Sequence, residues 1–211
     1  MVKKKENILR IKQSPKLPAE TRQNQILCAA HKLLENKGVR ATTIDDIAKE
    51  AGITKGAVYH HFKNKESILE ALVQIVLNCW IDAFTNIPEG SKSPHELLKI
   101  VRGVDKNMPM NNASHNLSII FEIMQIPNIK KMVHIGYENI ILACMKCLDS
   151  SYVKSKAHRQ QLAIFVLVFY DGICWARNFD SGHVDFNKQL KLFTTLFEPE
   201  KKTISKKGKS S

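Results

Sequence analysis

The sequence predicts an all-α protein in which a small N-terminal helical domain is joined to a larger C-terminal helical domain. Apolar residues recur at helical spacing from residue 26 to residue 197, and no convincing segment alternates apolar and polar residues as a strand would. Proline and glycine mark the joints between the periodic segments. A length of 211 residues allows one large domain or two small ones.

The first predicted helices have clear start and stop signals. Pro18 suits the first turn of a helix that Gly38 closes as a C-cap. Thr43 is the expected N-cap of a second helix that ends at Gly52. Thr54 caps a third, very short helix to about residue 62, and a longer amphipathic helix follows.

The remainder of the chain is also predicted to be helical. The expected segments are residues 94–107, 114–125, 128–150, 156–178 and 185–197. The predicted helix 156–178 is apolar on nearly all of its faces. Other parts of the protein, or a second copy of it, must therefore pack against more than one side of this helix. Residues 1–17 are interpreted as a basic flexible arm and residues 199–211 as a basic disordered tail.

Positive charge is concentrated near the two ends of the chain, which has a net charge of +12. Residues 1–65 carry 14 Lys+Arg and 6 Asp+Glu, whereas residues 66–198 carry equal numbers of each sign. This distribution is typical of a phosphate-binding module joined to another domain, although a soluble protein with basic ends would also show it. No apolar run reaches the ~18 residues that span a bilayer, and no signal core follows the basic N-terminus. We therefore expect a cytoplasmic protein without a membrane partner.

The sequence shows no pattern that predicts catalysis, a cofactor or a metal site. The histidines outside residues 60–61 are isolated, and no glycine-rich phosphate loop is present. Cys144 and Cys147 form a CxxC inside a helical pattern, with no second CxxC nearby. Core packing of these two thiols is favoured, and a metal or redox pair is the alternative.

Residues 43–62 have the composition and spacing of a helix-turn-helix. Gly52 supplies the tight turn and Ala48 allows the two helices to approach closely. The apolar plug that sets their angle would consist of Ile47, Ile53, Val58 and Phe62. The second helix would then present Thr54, Lys55, Gly56, Tyr59 and His60 outward, with its N-terminus in the major groove of DNA.

The sequence of residues 41–62, ATTIDDIAKEAGITKGAVYHHF, resembles the DNA-binding signature of the tetracycline-repressor (TetR) family. Residues 63–69, KNKESIL, resemble that family's entry into its fourth helix, and residues 26–30 with Gly38 resemble its first helix. The resemblance covers roughly residues 20–80. It implies a three-helix DNA-binding domain over residues 18–80 and a helical ligand-binding and dimerisation domain over residues 81–198.

The resemblance also implies a set of DNA contacts. Thr43 would hold a phosphate at a helix N-terminus, and Lys65 would clamp a second phosphate. Lys55 and Gly56 would lie against bases or backbone in the groove. The full set is Thr43, Thr54, Lys55, Gly56, Tyr59, His60, His61 and Lys65. A core role for Tyr59 and a solvated surface role for the two histidines are the alternatives, and the basic arm either tracks a minor groove or adds only non-specific attraction.

For the second domain, the resemblance implies a homodimer through the last two long helices and a pocket for a small-molecule effector. The candidate pocket residues are Phe121, Glu122, Met124, Glu138, Phe169 and Trp175, although such residues at helical spacing are also typical of an ordinary core. The implied function is a dimeric repressor whose binding to double-stranded operator DNA is released by a ligand. Activation is an alternative, as is an accessory factor that uses the same DNA domain but acts through a protein partner.

Overall fold

The structure, a computed structural model, describes residues 19–107, 117–153, 155–179 and 184–197. These residues form the helices α1 (Ala19–Ala41), α2 (Ile44–Glu50), α3 (Lys55–His61), α4 (Lys65–Thr85), α5 (Pro94–Asn107), α6 (Leu117–Ile123), α7 (Pro127–Cys147), α8 (Lys156–Phe179) and α9 (Phe186–Phe197). Within the described ranges the β-structure is limited to an isolated bridge between Lys92 and Leu148. The predicted all-α class is confirmed. The predicted arm at 1–17 and tail at 199–211 lie outside the described residues.

Local capping explains why several helices begin where the sequence predicted. The Ser93 hydroxyl accepts a hydrogen bond from the Glu96 backbone N–H at 3.2 Å, and the Glu96 carboxylate accepts one from the Ser93 backbone N–H at 2.9 Å. This reciprocal cap starts α5, whose bounds equal the predicted ones. The Asp185 carboxylate accepts from the Asn187 N–H at 2.7 Å and starts α9.

Two predicted helices in the middle of the chain have different ends. α6 covers Leu117–Ile123 rather than 114–125, and residues 114–116 lie outside the described ranges. α7 ends at Cys147 rather than at residue 150. The loop after α4 crosses this end, and the Lys92 N–H donates to the Cys147 carbonyl at 2.8 Å. The loop thus satisfies a carbonyl that the end of a helix leaves without an intrahelical partner.

The first helix is interrupted at Gly38, the glycine that was predicted to end it. Gly38 has φ 79° and ψ 173°, a conformation essentially limited to glycine, and the helix resumes as far as Ala41. Thr42 follows with its side chain fully buried, and its hydroxyl donates to the Gly38 carbonyl at 2.7 Å. Gly38 therefore ends the long helical segment as predicted, and the short segment that follows within α1 was not predicted.

Contacts divide the chain into two units, of which the first contains the described residues up to Ile75 together with Ser118–Lys130. Within it α1 packs on α2 and α3, and α2 packs on α3. The core of this unit includes the buried side chains of Ile26, Leu34, Ile47, Val58, Ile68 and Leu69. The unit differs from the predicted 18–80 domain because it ends within α4 and includes a segment from later in the chain.

The second unit contains the described residues from Val76 to Leu117 and from Lys131 to Phe197. α5 packs against both α8 and α9. The core includes the fully buried side chains of Leu97, Leu98, Val101, Val166 and Phe193. Phe193 on α9 lies against two rings of α8, with centroid distances of 6.0 Å to Phe165 and 4.9 Å to Phe169. These rings fix the pairing of the last two helices.

One helix in the described part of the chain, α4, is long and apolar enough by length and composition to cross a membrane. Continuous apolar runs in the sequence did not predict this property of α4. A core helix of a soluble protein passes the same test, and Ile68, Leu69 and Leu72 of α4 are buried in the first unit. A single such helix is weak evidence for a membrane segment.

The CxxC thiols lie in the core of the second unit. Cys144 and Cys147 are 0% and 2% exposed. Burial raises the pKa of Cys144 to about 12, and the neighbouring Cys147 adds to the effect. Such a thiol remains protonated and unreactive at neutral pH. The favoured interpretation as packed core thiols is confirmed. Among the described residues, no group of three or more His, Cys, Asp or Glu side chains is placed to hold a metal ion.

Candidate nucleic-acid interface

Two short helices, α2 and α3, meet across a tight turn in the first unit. Gly52 in this turn has φ 65°. This agrees with the prediction, because a residue with a side chain is strained at a positive φ whereas glycine is not. The Gln25 side-chain amide of α1 donates to the Ala51 carbonyl at 2.6 Å and so ties the end of α2 to the first helix. The turn is therefore held both by its own backbone and by α1.

An apolar plug fixes the angle between α2 and α3. Ile47 is 1% exposed, Val58 is fully buried and Phe62 is 7% exposed. Ile53, the fourth predicted member, is only half-buried. Because these side chains face inward, the opposite face of α3 is turned outward.

The outward face of α3 carries most of the predicted DNA contacts. Lys55, Gly56, Tyr59 and His60 are exposed, with 49% of Tyr59 accessible to solvent. The core alternative for Tyr59 therefore does not hold, since the plug closes without it. Thr54 is the N-cap of α3, and its hydroxyl accepts from the Ala57 N–H at 3.2 Å. The sequence-predicted contacts on α3 thus share one accessible surface.

The two histidines at the end of α3 differ in their surroundings. His60 is exposed, whereas His61 is half-buried and lies edge-to-face against His60 at 5.1 Å between ring centroids. Desolvation lowers the pKa of His61, and the positive charges of His60 and Arg22 lower it further. At neutral pH His61 is therefore an uncharged imidazole, which can donate a hydrogen bond to a phosphate but offers it no net charge.

Thr43, the predicted phosphate contact before α2, has its hydrogen-bonding groups engaged. Its hydroxyl accepts from the Asp46 N–H at 3.2 Å, and its backbone N–H donates to the Asp46 carboxylate at 2.9 Å. This capping box confirms the predicted N-cap. Hydrogen bonds from Lys37 and Thr43 hold the pKa of Asp46 well below its usual range. A phosphate at Thr43 would have to approach beside an ionised carboxylate.

Lys65, the predicted phosphate clamp, also has partners within the protein. Its ammonium group donates to the Val39 and Thr42 carbonyls, each at 2.9 Å. The Val39 carbonyl lies in the last turn of α1, after the kink at Gly38, and the Thr42 carbonyl directly follows the helix. Lys65 therefore joins the start of α4 to the end of α1. Its role as a DNA contact remains a prediction.

Replacing Lys65 by methionine separates these two roles. We expect Lys65→Met to lower the free energy of unfolding by about 2 kcal/mol, because it removes two hydrogen bonds from a charged donor and leaves two carbonyls without it. Chemical denaturation measures this loss, with Lys63→Met as the control because Lys63 is exposed. Weaker DNA binding without any loss of stability would instead identify Lys65 as a phosphate clamp.

Glu122, a predicted pocket residue, lies in the first unit beside the kink of α1. Its carboxylate accepts hydrogen bonds from the Val39 N–H at 3.0 Å and the Arg40 N–H at 3.1 Å. A Cβ atom added at Gly38 would stand 3.3 Å from the same carboxylate. Sequence reasoning missed this contact, because no local signal connects residues that are more than 80 positions apart.

The other predicted pocket residues are divided between the two units. Phe121 and Met124 belong with Glu122 to the first unit, and Phe121 is 55% exposed. Glu138, Phe169 and Trp175 belong to the second unit. The exposed Glu138 carboxylate lies 3.7 Å from the His134 ring one helical turn away, Phe169 packs on Phe193, and Trp175 is 37% exposed. The role of these six residues in ligand binding remains a prediction.

Comparisons with known proteins agree with the motif. The sequence model described as "Bacterial regulatory proteins, tetR family" matches residues 26–72. The chain is 36% identical over 85 residues to the HTH-type transcriptional repressor KstR2 of Mycolicibacterium smegmatis, an alignment that covers 40% of this chain and 41% of the relative. It is 23% identical over 195 residues to the HTH-type transcriptional regulator AcrR of Shigella flexneri, covering 84% of this chain and 87% of the relative.

The fold is shared with solved regulators. A transcriptional regulator of the TetR/AcrR type from Aquifex aeolicus superposes with a TM-score of 0.65 at 20% identity, covering 83% of this chain and 99% of that chain. The chain aligns with the first curated relatives over less than half of their own length. The family and these relatives are described as regulators rather than as enzymes. Residues 26–72 therefore match the tetR family of bacterial regulatory proteins, and the chain shares the fold of solved regulators.

Proposed function

We propose that the protein is a dimeric transcriptional repressor that binds operator DNA through α3 and is released from it by a small molecule bound in the second unit. The proposal that α3 binds DNA rests on the exposed ring of Tyr59. It stands on the outward face of α3 beside a plug that is complete without it. Tyrosine is among the side chains that commonly bind DNA phosphates, and on the recognition helix of such a motif it can reach the groove.

The charge distribution supports a polyanionic partner. Residues 1–65 carry a surplus of eight positive charges, whereas residues 66–198 are neutral. Positive charge on the unit that holds the motif attracts the phosphate backbone and positions α3 for base contacts in the groove. The name "repressor" of the mycobacterial relative supports repression as the mode of action.

The proposed dimer uses one face of α8 and α9. On α8, Phe165 and Val168 are exposed about one helical turn apart, and Leu192 of α9 is 58% exposed. A second copy of this chain would cover these side chains in a symmetric interface. Two copies related by a two-fold axis also match the paired half-sites of an operator.

Release by a ligand requires that the ligand favours one dimer shape over another. A molecule that binds the DNA-competent and the DNA-incompetent shape with equal affinity would not change the populations of the two shapes. We propose the second unit as its location because the resemblance places the family's ligand domain there. Glu138, Phe169 and Trp175 are the predicted pocket residues in this unit.

Substitution of Tyr59 by alanine tests the DNA interface. We expect Tyr59→Ala to weaken binding to the operator by about 1–3 kcal/mol, roughly 5- to 150-fold, without changing the unfolding transition. Fluorescence anisotropy on DNA from upstream of the protein's own coding region, compared with a scrambled duplex across a salt series, measures the change. Leu142→Ala is the matched control, because Leu142 is similarly exposed but lies on α7 in the second unit.

The outcome separates specific from non-specific binding. Tight binding to the upstream DNA that Tyr59→Ala weakens and Leu142→Ala does not would support the proposal. Equal binding of all three proteins to both duplexes, with only a steep salt dependence, would show that the basic charge acts alone. That result would contradict the assignment of α3 as the recognition helix.

A further inference from the structure

The carboxylate of Asp171 on α8 makes no hydrogen bond or ion pair with the described residues. The positions one turn away on the same helix, which are its nearest neighbours on the helix surface, hold no side chain of opposite charge. These side chains are Leu167, Val168, Cys174 and Trp175. An ionised carboxylate among such side chains costs free energy when it has no partner. The fold therefore gives no reason for an acid at this position.

The surroundings of Asp171 are those of a recess that is open to solvent. The residue is exposed, and yet the surrounding protein desolvates its carboxyl and raises the pKa of Asp171 to about 6. Both observations hold when protein atoms surround a carboxyl on several sides and solvent reaches it from the remaining side. With this pKa the group is mostly ionised at neutral pH. The recess thus holds a negative charge that a ligand can reach.

Two aromatic side chains border the recess. Trp175 follows Asp171 by one helical turn on the same face of α8 and is 37% exposed. Tyr137 of α7 is half-buried, and its burial and the nearby charge of Asp171 raise the pKa of Tyr137 to about 12. A carboxylate beside aromatic rings suits an ammonium group, because the carboxylate neutralises its charge and the ring faces attract it.

Building on the release by a small molecule proposed above, we propose that Asp171, Trp175 and Tyr137 bind an organic cation, a ligand with an ammonium group on an apolar body. The charge of Asp171 repels an anion, and a neutral ligand would cover the carboxylate without giving it a partner. A cation supplies that partner, and its apolar body covers the rings. The three residues lie in the second unit, and Trp175 is already among its predicted pocket residues.

Calorimetric titration with benzyltrimethylammonium tests the site. This probe is a permanent cation on a phenyl body, and its neutral isostere neopentylbenzene has carbon in place of nitrogen. At about pH 8 we expect Asp171→Asn to bind the cation about 10- to 100-fold more weakly than the wild type, because the ion pair is lost. Trp175→Leu should weaken binding by about 2- to 5-fold through the loss of its ring. An isostere that binds the wild type as tightly as the cation does would overturn the proposal.

The pH dependence of binding supplies a readout that a merely structural role of Asp171 would not produce. Protons compete with the cation for the carboxylate, whereas the charge of the probe does not change with pH. Tyr137, which faces Asp171 from α7, stays protonated over this range. We therefore expect the affinity of the wild type to fall as the pH is lowered through about 6, and that of Asp171→Asn to stay constant. An equal fall in the variant would contradict the proposed ion pair.

Asp171→Asn is expected to remain folded. The folded-state pKa of Asp171 lies above its usual value, so its ionised form destabilises the fold at neutral pH. The variant removes that charge and should unfold no more readily than the wild type, which chemical denaturation at about pH 8 measures. Weaker cation binding by a variant of unchanged stability then reports on the site itself.

Asp82→Asn is the matched control. Asp82 is exposed on α4 in the second unit, and the substitution removes the same charge by the same chemistry. We expect this variant to bind the probe like the wild type, and a loss equal to that of Asp171→Asn would show that net charge alone attracts the probe. Absence of cation binding by the wild type would overturn the site and leave the proposed DNA binding intact. A cation that binds through Asp171 but leaves operator DNA bound would contradict ligand release and not the site.

Discussion

Substituting Ile47 by alanine should lower the stability of the first unit by about 2–5 kcal/mol, because it deletes three carbon atoms from a fully packed site and leaves a cavity. Ile47 is 1% exposed and lies in the plug that joins α2 to α3. For a unit of this size, such a loss corresponds to a fall of roughly 10–30 °C in the midpoint of its thermal transition. Differential scanning calorimetry measures that midpoint.

The same variant distinguishes a residue that packs inside the motif from a residue that contacts DNA. Below its new transition, Ile47→Ala should bind operator DNA nearly as well as the wild type, because the buried side chain presents nothing to the groove. Tyr59→Ala should show the converse, with an unchanged transition and weaker binding. An Ile47→Ala protein with unchanged stability but lost affinity would contradict the packing of the motif described above.

A comparably large effect is expected for Phe193→Ala in the second unit, with a loss of about 3–5 kcal/mol in the free energy of unfolding. Phe193 is 1% exposed and packs on the rings of Phe165 and Phe169. Its removal opens a cavity between α8 and α9 and also removes aromatic contacts. Chemical denaturation followed by the near-ultraviolet signal of the aromatic residues measures the loss.

The adjacent Leu192 supplies a control with a different readout. Leu192 is 58% exposed on the face proposed for the dimer. Leu192→Ala should leave the monomer fold stable but weaken self-association, which sedimentation velocity across a concentration series measures. Leu192→Ala chains that associate as tightly as the wild type would argue against this face of α9 as the interface. A loss of fold stability as large as that of Phe193→Ala would contradict the burial of α9.

Local signals predicted the parts of the fold that local interactions determine. Thr43 and Thr54 cap α2 and α3 as expected, since a capping hydroxyl binds a backbone N–H only three residues away. Gly52 was predicted correctly because a tight turn needs its positive φ. The exposed position of Tyr59 followed from counting which apolar residues were enough to close the plug.

Three contacts that sequence reasoning missed join residues that are not neighbours on one helix. The Glu122 carboxylate is bound by backbone N–H groups of α1, the Lys65 ammonium by carbonyls of α1, and Asp45 pairs with Lys55 across the turn. None of these pairs has the spacing of neighbours on one helix, so no periodicity reveals it. At Gly38 the residue type indicated an unusual conformation, but not whether the helix ended there or resumed.

The hydrogen bonds from Val39 and Arg40 to Glu122 have a consequence for protein engineering. The unit that holds the recognition helix is not one continuous stretch of chain, because residues 118–130 belong to it. A chimera that grafts only the first 75 residues onto a foreign body would carry two backbone donors without their acceptor at the bend of α1. An exchange of operator specificity between relatives should therefore transplant both pieces, or choose a recipient with a carboxylate in the equivalent place.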